Sequence, residues 1–200
     1  MSADEIVDKL ITGGIAVIPT DTVYGIVAKA MNAAAVGNLY AVRERDQNKP
    51  CIVLISSLSD LNLFSVILTS KQKEVLSAIW PGLFSVILPC AEKTLTYLHR
   101  GKNTLAFRLP ANQKTLAIIK KTGPLVAPSA NPQGKPIARN ITEAKNYFGN
   151  KVNGYLDGGF CDGKPSTLLE FLGNKVKILR QGAGIIPNEL IAAPKQNSKF

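Results

Sequence analysis

The sequence predicts an α/β domain whose sheet is not purely parallel. Three observations predict it. Short apolar runs alternate with amphipathic stretches through most of the chain. The C-terminal third then carries consecutive strand-like runs with no helix between them. Small hydroxyls, amides and guanidinium groups gather at or near the ends of the apolar runs, where an α/β sheet presents polar groups to a ligand. Alternation argues for helices packed on a sheet, and successive strands require antiparallel pairs within it.

Ser2-Ala3-Asp4-Glu5 has the spacing of a capping box. Ile6, Val7, Leu10 and Ile11 follow on one helical face, and Gly13-Gly14 ends the helix. Residues 15–18 read as a buried strand leading into Pro19. A second helix is expected over 33–42, with Val36, Leu39 and Tyr40 inward, then a strand over 52–55. Ser70 is the expected cap of a helix carrying Val75, Leu76 and Ile79, stopped by Trp80-Pro81-Gly82. Strands follow at 84–88 and 104–109, a helix at 113–121, a strand at 124–127 and a short helix at 141–148 capped by Asn140. The last strands are expected at 155–157, 166–171 and 176–179. The pattern weakens after Gly182, so the expected organisation is one domain over 1–184 and a C-terminal tail over 185–200.

With 200 residues, 46% of them hydrophobic, the chain can build a sizeable core without disulfides. No signal-peptide pattern and no apolar run near the ~20 residues of a membrane span is visible, so a cytoplasmic protein is expected. Cys51, Cys90 and Cys161 lack CxxC spacing and read as buried or partly buried free thiols. His99 is the only histidine, which excludes a histidine-based metal cluster. The formal net charge of +10 favours phosphate-rich partners, nucleotide or RNA, although the lysines are dispersed as solubility charge would be.

The candidate site is scattered. There is no GxGxxG, and Gly158 to Pro165 has P-loop-like glycine and lysine spacing but ends in Pro before a strand. A bound nucleotide would therefore be held by dispersed side chains. Pro19-Thr20-Asp21-Thr22-Val23-Tyr24-Gly25 is either a turn satisfied by its own hydroxyls or part of a pocket. Arg43 and Arg45, with Lys49 behind them, either complement a helix C-terminus or bind an oxyanion. Ser129 and Asn131 in Pro128-Ser129-Ala130-Asn131 alternate and can point the same way on an extended chain. Arg108-Leu109-Pro110, Ser166-Thr167 and Arg180-Gln181-Gly182 complete the set.

Together, from about residue 6 to 182, these segments resemble the YrdC-type threonylcarbamoyl-AMP synthases. PTDTVYG is the most specific piece, and PSAN follows in the right order. The resemblance implies a single-domain, open, twisted sheet of mixed parallel and antiparallel strands with flanking helices and a concave face. It implies formation of threonylcarbamoyl-AMP and pyrophosphate from L-threonine, bicarbonate and ATP, with Mg²⁺ arriving on ATP and no metal ligated tightly by the protein. It assigns Thr20, Thr22, Tyr24 and Arg108 to threonine. It assigns Arg43, Arg45, Lys49, Ser129, Asn131, Ser166 and Arg180 to the nucleotide, with Arg43, Arg45 and Arg108 as the catalytic cations. Downstream threonylcarbamoyl transferase proteins and tRNA are the implied partners. The chain departs from the family pattern at Arg43 (Lys in KxR), Leu83 and Ser85 (Pro and Thr in WPGP-x-T) and Gln133. Those departures keep two alternatives open: a non-enzymatic RNA-binding protein on the same scaffold, and a carbamoyl-transfer domain.

Overall fold

Ser2 closes a capping box, receiving the Glu5 N–H at 3.2 Å while its own N–H donates to Glu5 Oε2 at 2.7 Å. Helix α1 (Ala3–Ile11) starts there and buries Ile6, Val7 and Leu10. Ile11, expected inward, is exposed at the helix end. The structure is a computed structural model and describes residues 1–192.

The elements that follow are β1 (Ala16–Ile18), β2 (Gly25–Lys29), α2 (Ala33–Val42), β3 (Ile52–Leu54) and α3 (Ser70–Ile79). After them come β4 (Phe84–Pro89), α4 (Thr96–His99), β5 (Thr104–Arg108), α5 (Gln113–Thr122) and β6 (Leu125–Val126). The chain continues through α6 (Ile141–Phe148), β7 (Gly154–Tyr155), β8 (Thr167–Leu172) and β9 (Lys175–Arg180). Two of these escape the sequence reading. β2 is buried along its first four residues, so it lacks the period-two alternation of a half-exposed strand, and it follows the turn-rich PTDTVY segment directly. α4 is a single turn. The cap of α3 is Thr69, one residue before the expected Ser70, because Thr69 and Gln72 have the reciprocal spacing of a capping box.

The nine strands form one sheet in the order β7-β1-β2-β6-β3-β5-β4-β8-β9. β1/β7, β3/β5 and β4/β8 are parallel and the other neighbours antiparallel, so the expected mixed sheet is present. Strand alternation divides the core into two layers. Val17, Ile26, Val53, Val86, Phe107 and Leu169 face one side, with residues of α2, α3, α4 and α6. Ala16, Ile18, Val27 and Leu54 face the other, under Ile6, Val7 and Leu10 of α1 and Ile118 and Ile119 of α5.

This second layer covers only half of its face. In the ladders, Ile52 stands opposite Ala106, Ala106 opposite Ile87, and Ser85 opposite Leu168. These residues continue the face of Leu54 across β5, β4 and β8, beyond the reach of α1 and α5. Ile52, Ala106, Ile87 and Leu168 stay partly exposed there.

The expected tail begins later than residue 185. Ile186 is buried, Ile191 bridges to Val176, and the Ala192 N–H donates to Val176 O at 2.8 Å. The remainder of that expectation, residues 193–200, lies outside the described residues.

The cap assignment predicts that Thr69→Ala destabilises the domain by about 1 kcal/mol, whereas Ser70→Ala changes it by less than about 0.5 kcal/mol. Urea denaturation of both variants checks this. Equal losses would place the cap at Ser70.

Candidate functional site

The half-open sheet face forms the floor of a cavity of about 430 Å³, lined there by Ile52, Leu54, Ile87, Ala106 and Leu168. That volume lies within the ~300–1,000 Å³ common for small-molecule sites. Ala106 at the centre keeps the floor low. The rim is polar and basic: Thr20, Thr22, Arg43, Arg45, Lys102, Arg108, Ser129, Ser166 and Arg180 all reach it. Among the described residues, no Asp or Glu lies in this wall.

Strand register separates the rim into two poles. Thr22 and Arg108 lie at one. The Arg108 guanidinium is buried and held through all three nitrogens, with three of its five N–H groups engaged: Nε donates to Gly82 O (3.0 Å), Nη1 to Thr22 Oγ1 (2.7 Å) and Nη2 to Asp21 Oδ1 (2.7 Å). The second carboxylate oxygen of Asp21 accepts the Ala111 N–H at 2.9 Å. Burial pulls the Arg108 pKa below its ordinary value, and Asp21 opposes that shift. A buried guanidinium is tolerated here because each nitrogen has an acceptor. Thr20 closes the adjoining turn, donating to Val23 O at 2.7 Å and accepting the N–H groups of Thr22 and Val23. The PTDT segment is thus a turn satisfied by its own hydroxyl, and Thr20 and Thr22 also line the cavity.

Tyr24 departs from its assignment. Its ring is fully buried and absent from the cavity wall. Its hydroxyl donates to Gly159 O and accepts the Gly158 N–H, both at 2.8 Å. Tyr24 therefore anchors the irregular segment 156–166. That segment lies against the PTDT turn: Cys161 Sγ donates to Thr22 O at 3.2 Å, and any Cβ on Gly163 would overlap the same carbonyl. The P-loop-like glycine spacing serves this close packing.

At the other pole β3 and β5 run parallel, with Ile52 opposite Ala106, so residues just before each strand enter from the same side. Arg45 arrives there, with Nε donating to Lys49 O (3.0 Å) and Nη2 to Pro50 O (2.8 Å). Arg43 is buried, its Nε donating to Ser129 O (2.9 Å) and its Nη2 to Ser129 Oγ (3.1 Å) and Asn131 Oδ1 (3.3 Å). Its Nη1 is buried without a partner among the described residues. Burial, and then the nearby Arg45, lower the Arg43 pKa. Ser129 and Asn131 do point the same way, with Ser129 Oγ donating to Asn131 Oδ1 at 2.7 Å, but Asn131 stands behind the wall. Lys49 turns out of the site, with its ammonium exposed and 3.4 Å from Asp46. Ser166 and Arg180 lie instead at the Arg108 end, where the ladders set Ser85 and Leu168 beside the end of β5: Ser166 meets the buried Ser85 hydroxyl at 2.7 Å, and Arg180 Nη2 donates to Ser166 O at 2.8 Å. Burial lowers the Arg180 pKa as well.

Three residues at the site were not among those singled out for it. Asp21 orients Arg108, and PTDT itself carried that signal. Lys102 lies just before β5 in a stretch with no motif. Cys51 lines the wall as a buried thiol; burial pushes its pKa up against the pull of the neighbouring Arg45.

The half-covered mixed sheet, the PTDT turn, the PSAN segment and the basic rim define an α/β domain with one polar, basic-rimmed cavity over an apolar sheet floor. Residues 8–182 match the family Sua5_yciO_yrdC, described as Telomere recombination, and the chain belongs to that family. It is 34% identical over 177 residues to the threonylcarbamoyl-AMP synthase of Bacillus subtilis, covering 87% of this chain and 51% of that protein. It is 30% identical over 191 residues to a putative threonylcarbamoyl-AMP synthase of Mycobacterium leprae, covering 90% and 87%. It superposes with a TM-score of 0.84 and 28% identity on P. abyssi Sua5 complexed with L-threonine, covering 90% of this chain and 54% of that one. The chain thus spans about half the length of the Bacillus and Pyrococcus proteins.

The placement of Tyr24 predicts a structural phenotype. Tyr24→Phe leaves the Gly158 N–H and Gly159 carbonyl without their partner and costs about 1–2 kcal/mol. Threonine affinity should stay within about twofold, that is within ~0.4 kcal/mol. Urea unfolding and calorimetry separate the two. A large affinity loss with unchanged stability would return Tyr24 to the pocket.

Proposed function

We propose that this chain is a nucleotidyltransferase that forms threonylcarbamoyl-AMP and pyrophosphate from L-threonine, bicarbonate and ATP. The observation that carries the reading is the two-poled cavity. A hydroxyl-and-guanidinium pole at Thr22 and Arg108 and a carboxylate-free basic pole at Arg43 and Arg45 are joined by an apolar floor. Family membership, the relatives' names and the L-threonine complex of P. abyssi Sua5 support it.

In this reading threonine sits at the first pole. The Thr20 and Thr22 hydroxyls bound its pocket, and Arg108 draws its carboxylate toward that end while Asp21 fixes the guanidinium. The nucleotide lies across the floor. Ser129 and Arg43 border its phosphates, Arg45 faces the developing charge, and Ser166 and Arg180 close over the nucleoside. The amine of threonine takes up CO₂ from bicarbonate. The new carbamate oxygen attacks the α-phosphorus, the bond to the bridging oxygen breaks, and pyrophosphate leaves with the electron pair. The protein's task is positioning and charge stabilisation, because the triphosphate brings its own leaving group. Mg²⁺ is assigned to ATP, since a wall without carboxylates has no cage of its own for a hard cation.

The partners proposed with this activity are a downstream threonylcarbamoyl transferase and a tRNA adenosine as final acceptor, in a cytoplasmic setting. No helix among the described residues is long and apolar enough to cross a membrane.

The reaction predicts that pyrophosphate release from ATP requires threonine and bicarbonate together. Release that is equal with serine, or that persists in bicarbonate-depleted buffer, overturns it. An absence of release accompanied by salt-sensitive tRNA binding would favour the RNA-binding alternative.

A further inference from the structure

Among the described residues, five cationic side chains line the cavity: Arg43, Arg45, Lys102, Arg108 and Arg180. The four arginines are tied to the protein. Arg43 holds Ser129 and Asn131, Arg45 the Lys49 and Pro50 carbonyls, Arg108 the Asp21–Thr22 turn, and Arg180 the Ser166 carbonyl. Lys102 makes no side-chain hydrogen bond or ion pair among the described residues, although its neighbours in the wall are hydroxyls and guanidiniums.

The backbone beneath it is fixed. Arg100, Gly101 and Asn103 all have positive φ, at 51°, 77° and 55°. This compact turn is pinned from three sides. The Lys102 N–H donates to His99 O at 2.8 Å, the Asn103 N–H points at His99 Nδ1 at 3.4 Å, and the Arg100 guanidinium lies 4.0 Å from the Tyr40 ring centre. His99 Nε2 in turn meets Glu92 O at 3.2 Å, so the sole histidine is a brace for this turn. A rigid turn thus carries one free ammonium into the cavity, at the pole where Arg45 and Ser129 also stand.

We propose that Lys102 is the mobile cation of the site and follows the β,γ-phosphates of ATP into the pyrophosphate product. The inference rests on the proposed adenylation reaction for its ligand. Arg43 is buried, with Nε and Nη2 held by Ser129 and Asn131 and Nη1 without a partner among the described residues, so it is fixed in the wall of the pole. A compact ammonium on a flexible stem can track phosphates as they separate, which a guanidinium locked by two or three hydrogen bonds cannot. Lys102 adds a movable charge beside the fixed charges of Arg43 and Arg45 where the leaving group develops its own.

The test is calorimetric binding of ATP, inorganic pyrophosphate and adenosine to wild type, Lys102→Met, Lys102→Arg and the exposed Lys120→Met as a charge control. Lys102→Met should weaken ATP and pyrophosphate about tenfold or more, the scale of one charge-assisted contact. Adenosine binding should be unchanged, Lys102→Arg should recover most of the loss, and Lys120→Met should match wild type. ATP affinity of Lys102→Met within about twofold of wild type overturns the proposal, as does an equal loss for Lys120→Met. The measurement reads binding alone. Failure of threonine-dependent pyrophosphate release would overturn the reaction separately, without deciding the role of Lys102.

Discussion

The site depends on a shortage of helix. Two helices, α1 and α5, pack on one face of a nine-stranded sheet, and they cover only the half built from β1, β2, β6 and part of β3. The opposite face has α2, α3, α4 and α6 and is closed. Burying apolar sheet surface is worth roughly 25 cal/mol per Å², so an uncovered half-face is a standing cost unless something else occupies it. Here the uncovered residues are modest in size, with Ala106 at the centre, and basic side chains overhang them from the rim. An adenine or ribose laid on that floor would complete the layer that the helices leave unfinished.

The rim is organised by arginines that act mostly on the protein. Arg108 is the clearest case. Three of its donors join the PTDT turn, the Gly82 loop and, through Asp21, the start of the segment leading to α5. The pair is nearly dry, and a dry ion pair repays its desolvation only with good geometry and further hydrogen bonds; here each guanidinium nitrogen has an acceptor. Arg43 is less complete. One nitrogen has no acceptor among the described residues, and Arg45 rather than a carboxylate is its charged neighbour. An anion in the cavity would relieve that repulsion, so this pole is shaped for negative charge before any ligand arrives.

Much of the scaffold was legible because its signals are local. Capping at Ser2 and Asn140, the apolar faces of α1 and α2, and the break at Trp80-Pro81-Gly82 depend on neighbours in sequence. β2 was not legible, because a strand buried on both faces loses its alternation and Gly25 reads as part of a turn. At the site, the residue types of the turn and rim were readable, but the direction of their side chains was not. Tyr24 sits one residue beyond a wall-lining segment, and strand alternation sends it to the opposite layer, under Gly158 and Gly159. Lys49 follows Arg45 by four residues, beyond the end of α2, and its ammonium turns to Asp46 and solvent. Lys102 had no motif at all. Only the parallel register of β3 and β5 carries it to the side where Arg45 enters.

That register links fold to chemistry. β3 and β5 are parallel neighbours, so the loops entering both arrive at one end of the cavity and the residues leaving β5 arrive at the other. Arg108 ends β5 and Lys102 precedes its start, so a single strand spans the two poles, with Thr104 and Ala106 pointing to the floor between them. A strand advances about 3.3 Å per residue, so the four steps from Thr104 to Arg108 set roughly 13 Å of the separation between the poles, and the turn at 100–103 carries the rest. Most of that separation is therefore held by a hydrogen-bonded strand.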